Sequence, residues 1–147
     1  MLKGERTWTV EASVEEVYAV IADVERYPEW HPFFATVDVE DRDGEDRVET
    51  ARCTHPTPVA TLTTEITFTY EPGAEVRARR ESGDMKDVDG RFLVDVRDKV
   101  TVVTHKLLVD PGMKLGLLLR GPVEEKVRNS VLNGAESGLA KALAARG

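Results

Sequence analysis

An almost unbroken series of strand patterns from Ala35 to Asp110 is the feature that most limits the possible folds of this chain. Polar and apolar residues alternate there, which is the period of a β-strand with one buried face. Short turn sequences such as "RDGED" and "EPG" separate the segments, and turns this short force neighbouring strands to run antiparallel. The stretch predicts a meander of six strands. Because "RTWTVEA" near the N-terminus alternates in the same way, a sheet of about seven strands is expected.

The segments on either side of this meander have the helical period instead. "SVEEVYAVIADV" begins with Ser13 and has Glu16 three residues later, a capping box that predicts a short helix after the first strand. "RYPEWHPF" follows as a second short helical turn or bend, which Pro32 ends. The C-terminal segment predicts a long helix from about Val123 to Ala144. The chain is therefore expected to have an α+β fold in which this helix packs on the sheet.

Two glycines, Gly134 and Gly138, lie inside the predicted long helix, where each costs about 1 kcal/mol relative to alanine. Close packing of the helix against the sheet would explain them. Small side chains would also leave empty volume between helix and sheet. The second explanation predicts a cavity that faces the inward side chains of the strands, among them Ile66, Phe68 and Phe92.

Composition limits the class of protein. The net charge of −7 argues against nucleic-acid binding, because phosphate contacts need clustered Lys and Arg. A chain of 147 residues is long enough for one domain, spanning residues 1–147, and too short to expect two. The sequence has neither a secretory-signal pattern nor an apolar run long enough to span a membrane. The single cysteine, Cys53, fits a reducing compartment, so a cytoplasmic protein is expected.

Candidate catalytic groups are few. His105 shares the more apolar face of its strand with Val103 and Leu107, where an imidazole could act as an acid or a base, or could be a hydrogen-bonded core residue. Arg80 has the inward parity of its strand and could bind a carboxylate or enolate, or could extend into solvent at the strand end. The three histidines lie on separate elements without ligand spacing, so no metal site is expected. The sequence also lacks the motifs that would predict a cofactor.

Three stretches of sequence are similar to a known family: "VEASVEEVYAVIADVERYPEWHPFF", "VDGRFLV", and "LLVDPGMKLG" leading into "VEEKVRNSVLNGAESGLAKAL". Together with the order of elements, they resemble the helix-grip fold of the START and pollen-allergen-like (SRPBCC) superfamily, in its polyketide cyclase/dehydrase branch. The resemblance implies a curved seven-stranded antiparallel sheet around a long C-terminal helix, with two short helices after the first strand. It also implies an apolar tunnel, which the aromatic segment around Trp30 would close at one end. The predicted ligand-binding residues are Trp30, Phe34, Ile66, Phe68, Phe92, His105, Gly134 and Gly138.

The resemblance implies three possible functions. Binding or transport of a hydrophobic small molecule, such as a lipid, isoprenoid or polyketide, is favoured because apolar residues dominate the predicted cavity face. A polyketide aromatase/cyclase is the first alternative, although the cavity strands lack a dense set of Tyr, Ser and Arg. A protein-interaction module of the ubiquinone-chaperone or ribosome-associated toxin type is the second.

The segment Met113–Leu119 has leucines beside glycines just before the long helix. It is expected to form a mobile lip over the tunnel mouth and to touch a membrane transiently when a lipid is loaded. The alternative is a buried loop that caps the sheet.

Overall fold

The computed structural model describes residues 1–58, 60–118 and 121–146. Within these residues seven strands form one antiparallel sheet: β1 (Leu2–Val10), β2 (Thr36–Arg42), β3 (Val48–Pro56), β4 (Thr61–Glu71), β5 (Glu75–Gly83), β6 (Asp87–Arg97) and β7 (Val100–Asp110). Strands β2 to β7 are each hydrogen-bonded to the next strand in sequence, which confirms the predicted meander. Strand β1 joins the sheet beside β7, so the first and last strands of the chain are neighbours.

The first helix, α1 (Val14–Ala22), begins at the predicted capping box. The hydroxyl of Ser13 accepts a hydrogen bond from the backbone N–H of Glu16 at 3.1 Å, and the Glu16 carboxylate accepts one from the N–H of Ser13 at 3.3 Å. Two orphan N–H groups at the helix start are satisfied in this way. The helix then turns Val17 and Ile21 into the core, where both are fully buried.

A 3₁₀ helix (Val24–Glu29) follows α1 and includes Pro28. It ends three residues before Pro32, earlier than the sequence predicted. The chain then continues through turns, in which the N–H of His31 donates to the carbonyl of Tyr27 at 2.7 Å. The aromatic segment is thus held as a compact bend beside the sheet.

Two helices follow the sheet: the short α2 (Met113–Leu118) and the long α3 (Pro122–Arg146). Helix α3 confirms the prediction of a helix from about Val123 to Ala144. Helix α2 replaces the loop expected there, and the side chains of Met113 and Leu117 are 88% and 57% exposed. Leu119, the last residue of the predicted lip, lies outside the described residues. Among the residues that the structure describes, no helix is both long and apolar enough to cross a membrane.

The inward face of the sheet supplies most of the core. Alternate residues of β4 and β6 are buried, as their period predicted. Val96, which shares the parity of the inward residues of β6, is 52% exposed because it lies near the strand end, beyond the core. Helix α3 packs against β1 and buries Val131, Leu132, Ala135, Gly138 and Leu139. The architecture is the predicted α+β helix grip.

Candidate functional site

An apolar cavity lies beneath α2, between the first half of α3 and the ends of several strands. Measured as the space open to the centre of a water molecule, its volume is about 40 Å³. Because one water needs about 10–15 Å³ by this measure, the cavity has room for a few waters but not for a drug-sized ligand. Its lining includes Leu2, Phe33, His55, Leu62, Met85, Leu107, Val109, Val127 and Val131. We call this space the outer cavity.

A second space of about 20 Å³ lies between the sheet and the aromatic segment. We call it the inner cavity. Phe33 and Leu107 line both cavities. The inner lining also includes Tyr27, His31, Phe34, Val76, Val88, Phe92 and His105.

His105 lies on β7 against the inner cavity and is 1% exposed. Its ring stacks on Phe92 with centroids 4.3 Å apart and an angle of 9° between the planes. His31 approaches it nearly at right angles, with ring centroids 5.2 Å apart. Burial lowers the pKa of His105 to about 4 and the pKa of His31 well below its ordinary value. Both imidazoles are therefore neutral at pH 7.

The sequence did not predict that His31 and His105 meet, because they lie on a bend and a strand that are 74 positions apart in the chain. Only the folded position of the aromatic segment brings them together. The same bend holds its own histidine in place, since the ring Nδ1 of His31 accepts a hydrogen bond from the N–H of Phe33 at 3.3 Å.

His55 is a site residue that the sequence analysis missed. It lies on β3, lines the outer cavity and is fully buried. Its Nδ1 is 2.8 Å from the carbonyl oxygen of Phe33, whose ring stacks on the imidazole at 4.2 Å. Burial lowers the pKa of His55 to about 4. The alternation of β3 could have revealed it, because His55 shares the inward parity of Ala51 and Cys53.

The predicted ligand-binding residues separate into groups. Phe34, Phe92 and His105 line the inner cavity. Ile66 and Phe68 are buried in the core, but neither borders the two cavities as the described residues define them. Trp30 packs on Tyr27 with ring centroids 5.2 Å apart and lines a surface groove beside the end of α3 instead. A role in ligand binding stays a prediction for all of them.

The two glycines of α3 serve close packing, so the expectation of empty volume beside them is wrong. A Cβ atom added to Gly138 would overlap the backbone carbonyl oxygen of Trp30, and one added to Gly134 would lie 2.6 Å from Cγ of Pro32. Real Cβ atoms do not approach so closely. The partner of the glycines is therefore the bend at residues 30–32, and not the sheet.

Arg80 faces the turn between β5 and β6. Its Nε donates to the carbonyl of Met85 at 2.6 Å, and one of its terminal nitrogens donates to the carbonyl of Gly83 at 3.3 Å. These bonds hold the guanidinium at the strand end, away from both cavities. A catalytic role for Arg80 stays a prediction, and this geometry does not favour it. Within the described residues there is no group of three or more His, Cys, Asp or Glu side chains that could hold a metal ion.

Comparisons with known proteins agree with this architecture. A family model described as "Polyketide cyclase / dehydrase and lipid transport" matches residues 10–136. No curated protein sequence matches the chain significantly. A START superfamily protein from Mycobacterium smegmatis superposes with a TM-score of 0.82 over 100% of both chains, at 18% identity. A Thermus thermophilus protein gives 0.73 over 96% of this chain and 97% of its own, at 20% identity.

The Zhui aromatase/cyclase from a Streptomyces species is also similar. Its TM-score is 0.61, over 97% of this chain and 89% of its own, at 19% identity. At such identities these structures establish a shared fold alone.

Proposed function

Since the chain belongs to the polyketide cyclase/dehydrase and lipid-transport family of the START superfamily, we propose that it binds a hydrophobic small molecule between the sheet and α3. One observation carries this proposal. Two apolar cavities lie against the sheet, and the side chains of Phe33 and Leu107 line both of them. A continuous apolar space in this position would take an elongated ligand.

The cavities as they stand are too small for such a ligand, so binding requires expansion. Helix α2 is the element suited to move, because it has only six residues and its Met113 and Leu117 are exposed to solvent. The outer cavity borders this helix at Gly116 and the preceding turn at Pro111. Displacement of α2 would open an entrance there, and rotation of Phe33 would connect the inner cavity.

The chemistry of the lining favours a binding protein over a cyclase. A general acid or base works best when its pKa lies near the working pH. Burial lowers the pKa of His105 to about 4, so its imidazole is a weak base at neutral pH. A polyketide aromatase/cyclase remains the alternative, and the fold shared with the Zhui enzyme does not distinguish the two. The predicted membrane contact through Met113–Leu119 fits a lipid ligand and stays a proposal.

Native mass spectrometry of protein purified gently from its own cells tests the proposal. We expect a bound lipophilic mass that disappears after organic extraction. Extracted protein should then take up the lipophilic dye Nile red with a rise in fluorescence. Protein that carries no extra mass and takes up no dye would contradict the proposed function.

Two variants with the same added group locate the binding space. Val131→Phe places a phenyl ring in the outer cavity and should abolish dye uptake. Ser137→Phe places the same ring on the exposed face of α3 and should leave uptake unchanged. A thermal melt of each variant shows whether it is folded. Equal uptake by the two folded variants would mean that the dye binds elsewhere.

A further inference from the structure

One ring nitrogen of His55 is buried without a hydrogen-bond partner. Within residues 1–58, 60–118 and 121–146, its Nε2 has no protein atom to bond with. The other nitrogen, Nδ1, lies 2.8 Å from the carbonyl oxygen of Phe33. A carbonyl oxygen only accepts hydrogen bonds, so Nδ1 must carry the proton.

The protonation state of His55 then determines whether Nε2 donates or accepts a hydrogen bond. A neutral imidazole carries one N–H, and the other nitrogen is an acceptor. Burial keeps this ring neutral at pH 7 by lowering its pKa to about 4. Nε2 is therefore a bare acceptor beside an apolar cavity, and only a hydrogen-bond donor can satisfy it.

A second unpartnered polar atom lies close by on the same face of the sheet. Thr64 of β4 is fully buried, and its hydroxyl has no partner among the described residues. In the register of β3 and β4, Thr64 is opposite Cys53 and His55 is opposite Leu62. Thr64 and His55 are thus diagonal neighbours, an arrangement in which Cβ atoms lie roughly 7 Å apart.

A single hydroxyl group can satisfy both atoms, because a hydroxyl donates one hydrogen bond and accepts others. A carboxylate cannot do so, since at neutral pH it only accepts and would repel the lone pair of His55 Nε2. An ether oxygen has no proton to donate. Most of the other lining residues of the outer cavity, including Leu62 and Met85, are apolar and suit a hydrocarbon chain, whereas Thr57 and Glu124 are polar.

We propose that the ligand of this cavity is a long apolar alcohol whose hydroxyl donates to Nε2 of His55. Thr64 borders neither cavity as the described residues define them, so a second hydrogen bond, from the hydroxyl of Thr64 to the ligand, requires the same expansion that admits the ligand. The class excludes hydrocarbons without a donor group. It disfavours fatty acids, because a fatty acid can donate only after its carboxylate takes up a proton, which costs free energy at pH 7. This inference rests on the proposed function, because it assigns the polar end of the ligand in the same space.

Two isomeric probes test it: decyl alcohol and nonyl methyl ether, which have the same atoms but differ in the hydrogen-bond donor. Each competes with Nile red for the extracted protein. Burial of apolar surface alone favours the ether, because an alcohol is better hydrated in water. We expect the reverse order, with the alcohol about tenfold tighter than the ether, since the ether would leave a buried acceptor unpaired. Decanoate should bind more weakly than the alcohol.

The outcomes separate this inference from the function on which it rests. If both probes displace the dye and the ether binds as tightly as the alcohol, the alcohol assignment is overturned while hydrophobic binding stands. If the protein binds neither probe and no dye, both fail.

Variants identify the side chains that form hydrogen bonds with the hydroxyl of the ligand. His55→Phe keeps a ring against Phe33 but has no acceptor, and Thr64→Val keeps the shape without the hydroxyl. We expect the first to abolish the preference for the alcohol and the second to weaken it severalfold. His105→Phe, which alters the inner cavity, should retain the preference. If His105→Phe lost the preference for the alcohol and His55→Phe kept it in full, the hydroxyl would bind at His105, and the proposal would be overturned.

Nitrogen-15 NMR of the unmodified protein supplies a test that needs no variant. The spectrum of His55 should show a protonated Nδ1 and an unprotonated Nε2. Decyl alcohol should shift the Nε2 resonance upfield as it accepts a hydrogen bond, whereas nonyl methyl ether should not. A hydrogen-bonded Nε2 before ligand is added, unchanged by the alcohol, would mean that a buried water alone occupies this position and would overturn the proposal.

Discussion

The two halves of helix α3 differ in how closely they pack against the rest of the protein. Its first half, from Glu124 to Val131, lines the outer cavity. Its second half carries Gly134 and Gly138 and lies so close to the bend at residues 30–32 that neither glycine has room for a methyl group. The helix therefore packs closely on the bend around Gly134 and Gly138 and borders empty space nearer its N-terminus.

Side-chain size explains the difference. Glycines permit the backbone of α3 to reach the carbonyl oxygen of Trp30 and the ring of Pro32. Val127 and Val131 border the outer cavity, and the side chains facing them do not fill it. The sequence analysis placed the binding space beside the glycines. The structure places the larger of the two core cavities one to two turns nearer the N-terminus of the helix.

The largest effect we predict is a loss of stability in mild acid, to which histidines in both regions contribute. His31 belongs to the bend that packs on the glycines of α3, and His55 and His105 border the cavities. In the unfolded chain a histidine has a pKa near 6.5, whereas burial lowers the pKa of His55 and of His105 to about 4. Below pH 6.5 the unfolded state binds more protons, so stability is complete above that pH and falls as the pH approaches 4. We expect a loss of about 3 kcal/mol for each of these two histidines by pH 4.

Urea denaturation at several pH values between 7 and 4 measures this loss. His31 adds to it with the same sign, because burial also lowers the pKa of that imidazole. Paired carboxylates such as Asp89, whose pKa is lowered by Arg77, lose their contribution only near pH 4 and below. The interval from pH 6.5 to 5 therefore isolates the histidines. A free energy of unfolding that stays constant across this interval would show that the imidazoles are not buried as described.

The next effect, on the stability of Gly138→Ala, tests most directly whether the second half of α3 is tightly packed. Gly138→Ala adds one methyl group where the nearest atom is the backbone oxygen of Trp30, which cannot move aside as a side chain can. Overpacking costs about 1–3 kcal/mol, and the gain in helix propensity returns about 1 kcal/mol. We expect a net loss of up to about 2 kcal/mol, near this upper limit because the contact is with backbone, measured by thermal or urea unfolding.

Gly134→Ala and Ser137→Ala are the matched changes on the same helix. Gly134→Ala should cost less than Gly138→Ala, because its methyl group meets ring atoms of Pro32 instead of backbone. Ser137→Ala changes an exposed position and should be neutral within about 0.5 kcal/mol. A melting temperature that rises in Gly138→Ala would mean that the second half of α3 is loosely packed, and would support the cavity beside Gly138 that the sequence suggested.

A smaller effect concerns the hydrogen bond that ties the bend to α1. The buried hydroxyl of Tyr27 donates to the carbonyl of Ile21. Tyr27→Phe should lose about 1 kcal/mol. Tyr18→Phe is the control, because the buried hydroxyl of Tyr18 has no hydrogen-bond partner within the described residues. That change should be neutral or stabilising, and equal losses in the two variants would contradict the assigned bond.

Local patterns in the sequence were sufficient for most of the fold. The alternation of β4 and β6, the capping box at Ser13 and the proline at the start of α3 all predicted elements that the structure contains. The pairing of β1 with β7 has no local signal, and only the family resemblance pointed to a closed grip. The composition of the C-terminal segment predicted its helix but not what the helix contacts.

The candidate site was less predictable because it depends on contacts between distant segments. Strand parity placed His105 inside, and the structure agrees. Parity also applied to His55, but the sequence analysis considered this histidine only as a possible metal ligand. The meeting of His31 with His105 and the packing of Gly138 on Trp30 both follow from where the bend lies on the sheet. A glycine inside a helix can indicate a close contact, but it does not identify the contacting group.

The smallest effect has the opposite sign and completes the comparison of the two halves. Val131→Ile adds one methylene group to a side chain that is 6% exposed and borders the outer cavity. Filling existing space recovers up to about 0.8 kcal/mol of burial, and both residues are β-branched, so helix propensity changes little. We expect stability to rise by about 0.5 kcal/mol and the uptake of Nile red to fall severalfold.

The same methylene group thus stabilises one half of α3, whereas the single methyl group of Gly138→Ala destabilises the other. Opposite signs would establish that the space beneath Val131 is real and that ligand and side chain compete for it. A loss of stability in Val131→Ile would mean that the first half is as tightly packed as the second. A gain in stability with unchanged dye uptake would confirm the space but place the dye at another site, such as the inner cavity beside His105.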